Sequence, residues 1–236
     1  MILTHYTRTL DGVAGILENG FAWAPLPRNL IQDLVPSHDW SATEPQQYGL
    51  ISFTEQPVPA LRRHLETFGR YGIQVAPDWA QRQSATRVTY LERRGPLFDA
   101  LKGLFAIGYA NVKKGIRYPE DGLWNMACVY KSAAAALASP FWAHLLTVYE
   151  YLEPAENSYQ CEWRVVHPTG VGNLSRDTSD RIRNVSPPTG WGKYLHVLPV
   201  RPADIHGFVC PVADREHFIA RLPSGYRNKT IATYDG

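Results

Sequence analysis

The sequence has little cysteine, no long apolar run and no strong excess of either charge. Its three cysteines, Cys128, Cys161 and Cys210, form no C-x-x-C pair, which argues against a disulfide framework or a structural zinc site. No stretch approaches the roughly 20 apolar residues of a transmembrane helix. The opening residues also lack the basic start and apolar run of a secretory signal. We therefore expect a cytoplasmic protein with reduced thiols, no membrane span and no metal.

The common nucleotide-binding and hydrolase motifs are missing as well. The sequence contains no G-x-G-x-x-G after a predicted strand, no G-x-x-x-x-G-K-[ST], no H-E-x-x-H and no G-x-S-x-G. These absences argue against a Rossmann site, a P-loop, a zinc protease and an α/β-hydrolase. The net charge of +2 lacks the basic excess typical of nucleic-acid-binding domains, so a nucleic-acid partner is not favoured.

The sequence has enough hydrophobic residues to form one core. The chain has 236 residues, 44% of them hydrophobic, and seven tryptophans, and no repeat or linker divides it. A single domain over residues 1–236 is the expectation. Predicted strands cluster toward both ends of the chain, with helices of uneven length between them, which favours an α+β fold.

Local patterns place the elements along the chain. Alternating, β-rich stretches predict strands at 2–6, 49–53, 71–75, 86–91, 162–167, 194–200, 205–210 and 230–234. Helical spacing predicts a first helix, then helices at 57–68, from 77, at 96–108, within 121–152 and at 213–222. Asp11 is the expected N-cap of the first helix and Gly20 its left-handed C-terminal residue. Residues 24–47 and 168–191 are predicted to be long loops.

The first candidate site is His5-Tyr6-Thr7, at the end of the first predicted strand. A histidine there can donate hydrogen bonds to ribose hydroxyls, and a tyrosine offers a flat face for stacking. The alternative interpretation is a half-buried histidine that simply ends a strand.

The second candidate site runs from Tyr48 through Thr54. Strand alternation places the hydroxyls of Ser52 and Thr54 opposite the ring of Phe53. Small hydroxyls beside aromatic rings can line a nucleotide pocket. The alternative is an ordinary core strand with a polar end.

The third candidate site is the stretch Gln160-Cys161-Glu162-Trp163-Arg164. Alternation predicts Gln160, Glu162 and Arg164 on one face, and Cys161 on the other, toward the core. A nearby guanidinium favours the ionised carboxylate and orients it. An aimed carboxylate stabilises the positive charge of an oxocarbenium-like transition state. The alternative is a cross-strand ion pair on a solvated face.

The order of these three sites resembles that of ADP-ribosyltransferases, and "HYTRTLDGVAGILENGF" is similar to the start of the poly(ADP-ribose) polymerase and DarT-like groups. The histidine start is combined here with a Q-x-E ending that is more usual after an arginine start. The resemblance implies two small, mostly antiparallel sheets around a cleft with flanking helices, and NAD as the substrate. It implies the following residue roles. Catalytic residues would be Glu162, Arg164 and Gln160, and NAD-binding residues would be His5, Tyr6, Thr7, Tyr48, Ser52, Phe53 and Thr54.

Four stretches also resemble the abortive-infection (phage-resistance) family of AbiGi type. They are "HYT…ILENGF" (5–21), "SFTEQPV" (52–58), "RYGIQVAPDWA" (70–80) and "CEWRVVHP" (161–168), the last of them preceded by "VYEYLEP" (148–154). The resemblance implies a phage-defence or toxin–antitoxin context. The partner that it implies is a cognate toxin or antitoxin, or a phage-derived protein.

Two functions of different classes follow. The first is an NAD-dependent ADP-ribosyltransferase, or another NAD-consuming enzyme, acting on a protein or nucleic-acid acceptor. The second is a non-catalytic antitoxin or sensor that uses the same scaffold to bind a partner. Trp40, Trp191 and Tyr194 are candidate anchors for that partner, and the alternative for each is a place in the core. The basic group Arg62-Arg63-His64 is expected to be a solvated helix face.

Overall fold

The computed structural model describes residues 2–25, 49–56, 62–104, 148, 151–166, 183–185 and 195–235. The strands are β1 Leu3–Thr7, β2 Phe21–Ala22, β3 Ala24–Pro25, β4 Gly49–Thr54, β5 Tyr71–Val75, β6 Thr86–Arg87, β7 Thr89–Leu91, β8 Leu152–Pro154, β9 Glu162–Val166, β10 Arg183–Val185, β11 Leu195–Leu198, β12 Ile205–Pro211 and β13 Thr230–Tyr234. The α-helices are α1 Leu10–Asn19, α2 Arg62–Phe68, α3 Pro77–Arg82 and α4 Arg215–Arg221, and residues 96–104 are also helical.

An eight-stranded sheet dominates the fold, which confirms the α+β class. Its strand order is β13-β12-β5-β1-β4-β9-β6, with β3 paired to β4. All neighbouring strands in it are antiparallel except β12 and β13, which are parallel. Two minor sheets, β10-β11-β2 and β7-β8, accompany it. The expected pair of small sheets is therefore corrected to one large sheet, because β1 pairs with both β4 and β5.

The main sheet is weakest between β1 and β4. β1 pairs with β5 at every position from Leu3 opposite Val75 to Thr7 opposite Tyr71. With β4 it shares a single paired position, Thr4 opposite Thr54. The two strands therefore diverge beyond that position, and the sheet consists of two well-paired halves that meet at one narrow junction.

The core lies on one face of this sheet, which we call the core face. Leu3, Phe53 and Ile73 point to it from adjacent strands, and α1 and α4 cover it with Val13 and Phe218. Since side chains alternate along a strand, the neighbouring residues point to the other side, which we call the opposite face. Residues on the opposite face that matter below are Tyr6, Ser52, Thr54, Glu162 and Arg164.

The ends of α1 differ in part from the prediction. Asp11 is not the N-cap, because Thr9 precedes the helix in an extended conformation and its hydroxyl accepts a hydrogen bond from the Gly12 N–H at 3.1 Å. Asp11 lies in the first turn and pairs with Arg221 at 2.8 Å. Gly20 ends the helix as predicted, but its φ of 107° and ψ of 175° lie outside the left-handed helical region that was expected.

Other element predictions are confirmed or corrected by the pairing. β5 and β13 have the predicted bounds. The stretch 86–91 is two strands, because the chain leaves β9 at Val88 and continues along β8. Pairing also makes strands of three segments predicted otherwise, namely β3 and β10 in the predicted loops and β8 at the end of the predicted helical region. The remaining residues of those predictions, 26–47, 121–147, 149–150, 168–182 and 186–191, lie outside the described ranges, and so do the candidate anchors Trp40, Trp191 and Tyr194.

Within the described ranges, no helix has both the length and the apolar character needed to cross a membrane.

Candidate functional site

The pairing of β4 with β9 brings two of the three predicted patches together. Ser52 lies opposite Arg164, and Thr54 lies opposite Glu162, so their side chains share the opposite face of the sheet. Phe53 lies opposite Trp163 and points to the core face. Over Ser52–Thr54 and Glu162–Arg164, the observed alternation is the one predicted.

Glu162 and Arg164 form a two-pronged ion pair on this face. Arg164 Nε donates to Glu162 Oε1 at 3.0 Å, and Arg164 Nη2 donates to Glu162 Oε2 at 3.0 Å. The Ser52 hydroxyl donates a short hydrogen bond to the same Oε1 atom. Glu162 is 6% exposed and Arg164 2% exposed, so the pair does not lie on a solvated face. Its carboxylate is held in one orientation by three donors.

A second carboxylate contacts the same guanidinium. Arg164 Nη2 also donates a short hydrogen bond to Glu153 Oε1, and Nη1 donates to the Leu152 carbonyl oxygen at 3.4 Å. Asn157 Nδ2 donates to the other Glu153 oxygen at 3.0 Å. The sequence did not single out Glu153, because it lies just after the predicted helical region 121–152 and its spacing from Glu162 follows no motif.

Burial and charge act on Arg164 in opposite directions. Burial alone would lower the pKa of its guanidinium, but the charges and hydrogen bonds of Glu162 and Glu153 outweigh that effect and raise this pKa above its ordinary value. Tyr90, also missed in the sequence, accepts a hydrogen bond from the Glu162 backbone N–H at 2.7 Å. Burial raises the pKa of the Tyr90 hydroxyl to about 12, so it remains a hydrogen-bond donor near neutral pH.

The prediction for Gln160 and Cys161 is wrong. Gln160 is the last residue of a 3-10 turn, Ala155–Gln160, and Cys161 follows it in a left-handed conformation with φ of 42°. The strand pleat begins only at Glu162, so alternation does not extend back to Gln160. Gln160 Nε2 contacts the Tyr159 hydroxyl at 3.3 Å, and Cys161 is half-buried, with its sulfur 2.9 Å from Gln56 Nε2.

His5 points to the core face, away from Glu162. Its ring packs edge-on against Phe21 and Phe53, with centroids 5.1 and 5.8 Å away. His5 Nδ1 lies 2.9 Å from the Ser52 carbonyl oxygen across the β1–β4 junction. Burial lowers the pKa of His5. A carbonyl only accepts, so the neutral ring donates from Nδ1 and its Nε2 is an acceptor, which reverses the role expected toward a ribose hydroxyl.

Tyr6 lies on the same face as Ser52 and Glu162, in contact with α2. Its ring is 5.2 Å from that of His64, edge to face. His64 is buried and packs against Phe68, so the prediction of a solvated basic face is wrong for this residue. Burial raises the pKa of Tyr6, and burial, followed by the nearby His5, lowers the pKa of His64 to about 4. Tyr6 and His64 are therefore neutral near pH 7.

The remaining candidate NAD-binding residues that the structure describes contact other parts of the protein. Thr7 is half-buried at the end of β1. Phe53 packs among Phe21 and Trp79 in the core, which removes it as a stacking surface for a ligand. The buried Thr54 hydroxyl donates to the Gln160 carbonyl oxygen at 2.6 Å. Tyr48 lies outside the described residues.

Comparison with known proteins finds no family model, no curated protein and no solved structure that matches this chain. Among the described residues, no group of three or more histidine, cysteine, aspartate or glutamate side chains is arranged to hold a metal ion.

Proposed function

We propose that the chain is an NAD-consuming enzyme of ADP-ribosyltransferase type, with Glu162 as the catalytic carboxylate. The observation that carries this proposal is the fixed carboxylate itself, held by two Arg164 donors at 3.0 Å and by the Ser52 hydroxyl. It lies next to β4, where the main sheet narrows to one paired position.

The hydrogen bonds of Glu162 fit this substrate. A carboxylate has about four acceptor positions, and the described residues fill three of those on Glu162. The position left on Oε2 suits a donating hydroxyl of the ribose attached to nicotinamide. The protonated Tyr90 hydroxyl accepts a hydrogen bond from the Glu162 backbone N–H and so helps to fix the backbone that carries the carboxylate.

The proposed reaction uses the charge of Glu162. The bond between the ribose carbon and the nicotinamide nitrogen breaks, and its electron pair leaves with nicotinamide. Positive charge then develops on the ribose, and a carboxylate fixed beforehand stabilises it without having to reorganise. A nucleophile on a protein or nucleic acid, or water, bonds to the same carbon and loses its proton.

A non-catalytic antitoxin or sensor is the second candidate, and one observation favours it. Glu162 and Arg164 are both buried and satisfy each other, which is also the arrangement of an ion pair that only specifies the fold. In that case the scaffold binds a partner protein, such as the cognate toxin that the family resemblance implies, and consumes no NAD.

Nicotinamide release and thermal unfolding with millimolar NAD separate the two candidates. An enzyme should release nicotinamide and melt several degrees higher with NAD, because a ligand that binds only the native state stabilises it.

Glu162→Gln should fold and lose about 100-fold or more of the activity, as expected when a charge that acts in the transition state is removed. The matched control is Glu156→Gln, since Glu156 is exposed and pairs only with Arg93 among the described side chains. Full activity of Glu162→Gln would refute the assignment, and no release and no shift in folded wild type would favour the binding module.

A further inference from the structure

Glu153 lies on a different strand from Glu162, yet both carboxylates bind one guanidinium. Glu153 is on β8, which pairs with β7 in a minor sheet, whereas Glu162 and Arg164 are on β9 of the main sheet. Arg164 Nη2 donates to both carboxylates. The guanidinium therefore joins the minor sheet to the strand that carries the proposed catalytic residue.

The contacts from β8 determine the plane of the guanidinium. Arg164 Nη1 donates to the Leu152 carbonyl oxygen, and Nη2 to the Glu153 carboxylate. Because the guanidinium is planar with its donors in a rigid fork, fixing Nη1 and Nη2 also fixes the direction of Nε, which donates to Glu162 Oε1. Glu153 is in turn oriented by Asn157 Nδ2 at 3.0 Å.

We infer that Glu153 is a positioning residue for Glu162, acting through Arg164. The inference rests on the proposed function for its effect on catalysis. Glu153 holds the guanidinium in the plane that aims the Glu162 carboxylate and leaves one acceptor position of Oε2 for the substrate. Loss of the Glu153 charge would release the guanidinium from this plane, so that its Nε and Nη2 donors no longer hold the Glu162 carboxylate in one orientation.

The test is steady-state release of nicotinamide from NAD by wild type, Glu153→Gln and the control Glu156→Gln. Glu153→Gln keeps the shape of the side chain, and we expect kcat to fall about tenfold while KM changes less than about threefold. Glu156→Gln should match wild type. Arg164→Lys removes the guanidinium that Glu153 is inferred to position. When Glu153→Gln is added to Arg164→Lys, kcat should therefore fall by less than about a further twofold. An equal loss in both backgrounds, or no loss of kcat in Glu153→Gln, would overturn the inference.

A second readout does not depend on activity. Side-chain NMR of Arg164 should show exchange of the Nε proton about tenfold faster in Glu153→Gln than in wild type or Glu156→Gln, because the proton loses its fixed acceptor geometry. If Glu153→Gln does not fold, Asn157→Ala releases only the Glu153 carboxylate and should give a smaller change in the same direction. Wild type that releases no nicotinamide refutes the proposed function, while unchanged exchange of the Nε proton refutes the positioning role.

Discussion

At the scale of single residues, two buried polar atoms stand out on the opposite face. Among the described residues, neither the Tyr6 hydroxyl nor His64 Nδ1 has a hydrogen-bond partner, although both residues are buried. Buried polar groups in native proteins are usually hydrogen-bonded, because leaving one unpaired forfeits its hydration without replacement. The unpaired polar atoms of Tyr6 and His64 therefore lower the free energy of unfolding.

Tyr6→Phe should leave the free energy of unfolding unchanged or raise it by about 1 kcal/mol, since it removes an unsatisfied hydroxyl and keeps the ring. The matched control is Tyr226→Phe, because the Tyr226 hydroxyl donates to the Leu17 carbonyl oxygen at 3.3 Å. The control should lose about 1 kcal/mol. Urea denaturation of both variants measures the difference. Equal destabilisation would mean that the Tyr6 hydroxyl has a partner in solution.

His64 should make the protein less stable in mild acid. Its pKa is about 4 in the folded protein against about 6.5 in the unfolded chain. The unfolded chain therefore binds the proton first, so the stability due to the neutral ring is complete above about pH 6.5 and is lost as the pH falls toward about 4. The loss is at most about 3 kcal/mol.

Unfolding free energies between pH 7 and 4 for wild type and His64→Gln measure this contribution. His64→Gln should flatten the dependence, and His217→Gln, at an exposed position of α4, should retain it. Burial lowers the pKa of His5 too, and the His64 contribution is therefore the difference between the two curves. Parallel curves for wild type and His64→Gln would contradict the prediction.

At the scale of elements, the 3-10 turn Ala155–Gln160 determines where β9 begins. The end of β4 holds this turn through Thr54, which donates to the Gln160 carbonyl oxygen, and Gln56, which donates to the Tyr159 carbonyl oxygen at 3.1 Å. The Arg63 guanidinium of α2 lies over the Tyr159 ring, 4.2 Å from its centroid. The turn is therefore fixed from two sides, and the pleat that aims Glu162 starts at a defined residue.

Two glycines of the first helix should respond oppositely to alanine. Gly20 has φ of 107°, and a Cβ there would collide with the Leu198 carbonyl oxygen. Gly15 lies inside α1 with open space around its Cβ position. We expect Gly20→Ala to lower the free energy of unfolding by about 1–3 kcal/mol and Gly15→Ala to raise it by about 0.5–1 kcal/mol.

Thermal or urea unfolding of the two glycine variants checks this prediction. Each variant is the control for the other, because both add one methyl group, one inside α1 and one at its end. A tolerated Gly20→Ala would mean that the β11 strand end can move away from the end of α1.

At the scale of the whole molecule, one core unites distant parts of the sequence. The same buried cluster contains Leu3 of β1, Ile73 of β5, Val165 of β9 and Tyr226 near the end of the chain. Elements that bury one continuous core lose their contacts together when any of them unfolds. The expectation of a single domain remains a prediction that unfolding can test.

Unfolding in urea should therefore be a single cooperative transition. Tryptophan fluorescence and far-UV circular dichroism should give the same midpoint. The fluorescence lost in Trp79→Phe identifies the signal of this core residue. Separate midpoints for the two signals would indicate two independently folding units.

Sequence alone predicted the features that depend on near neighbours in the chain. The α+β class, the bounds of β5 and β13, the glycine at the end of α1, and the faces of Ser52, Glu162 and Arg164 all follow from local periodicity and end signals. Predictions from local sequence were wrong where a neighbouring residue took the predicted role or changed the backbone conformation. Thr9 caps α1 in place of Asp11, and the left-handed Cys161 interrupts the alternation that would have included Gln160.

Only the tertiary structure decided which distant groups meet. The β1–β4 pairing joined two halves into one sheet. The packing of the core on one face of that sheet placed His5 toward the core and Tyr6 on the face of Glu162. The packing of β7 and β8 beside β9 brought Tyr90 and Glu153 to Glu162 and Arg164. His64 is buried on α2, where it packs against Tyr6 and Phe68. Periodicity states which face of a strand a side chain takes, but not which strand lies beside it. The neighbour is selected by the combined burial and hydrogen bonding of the whole fold.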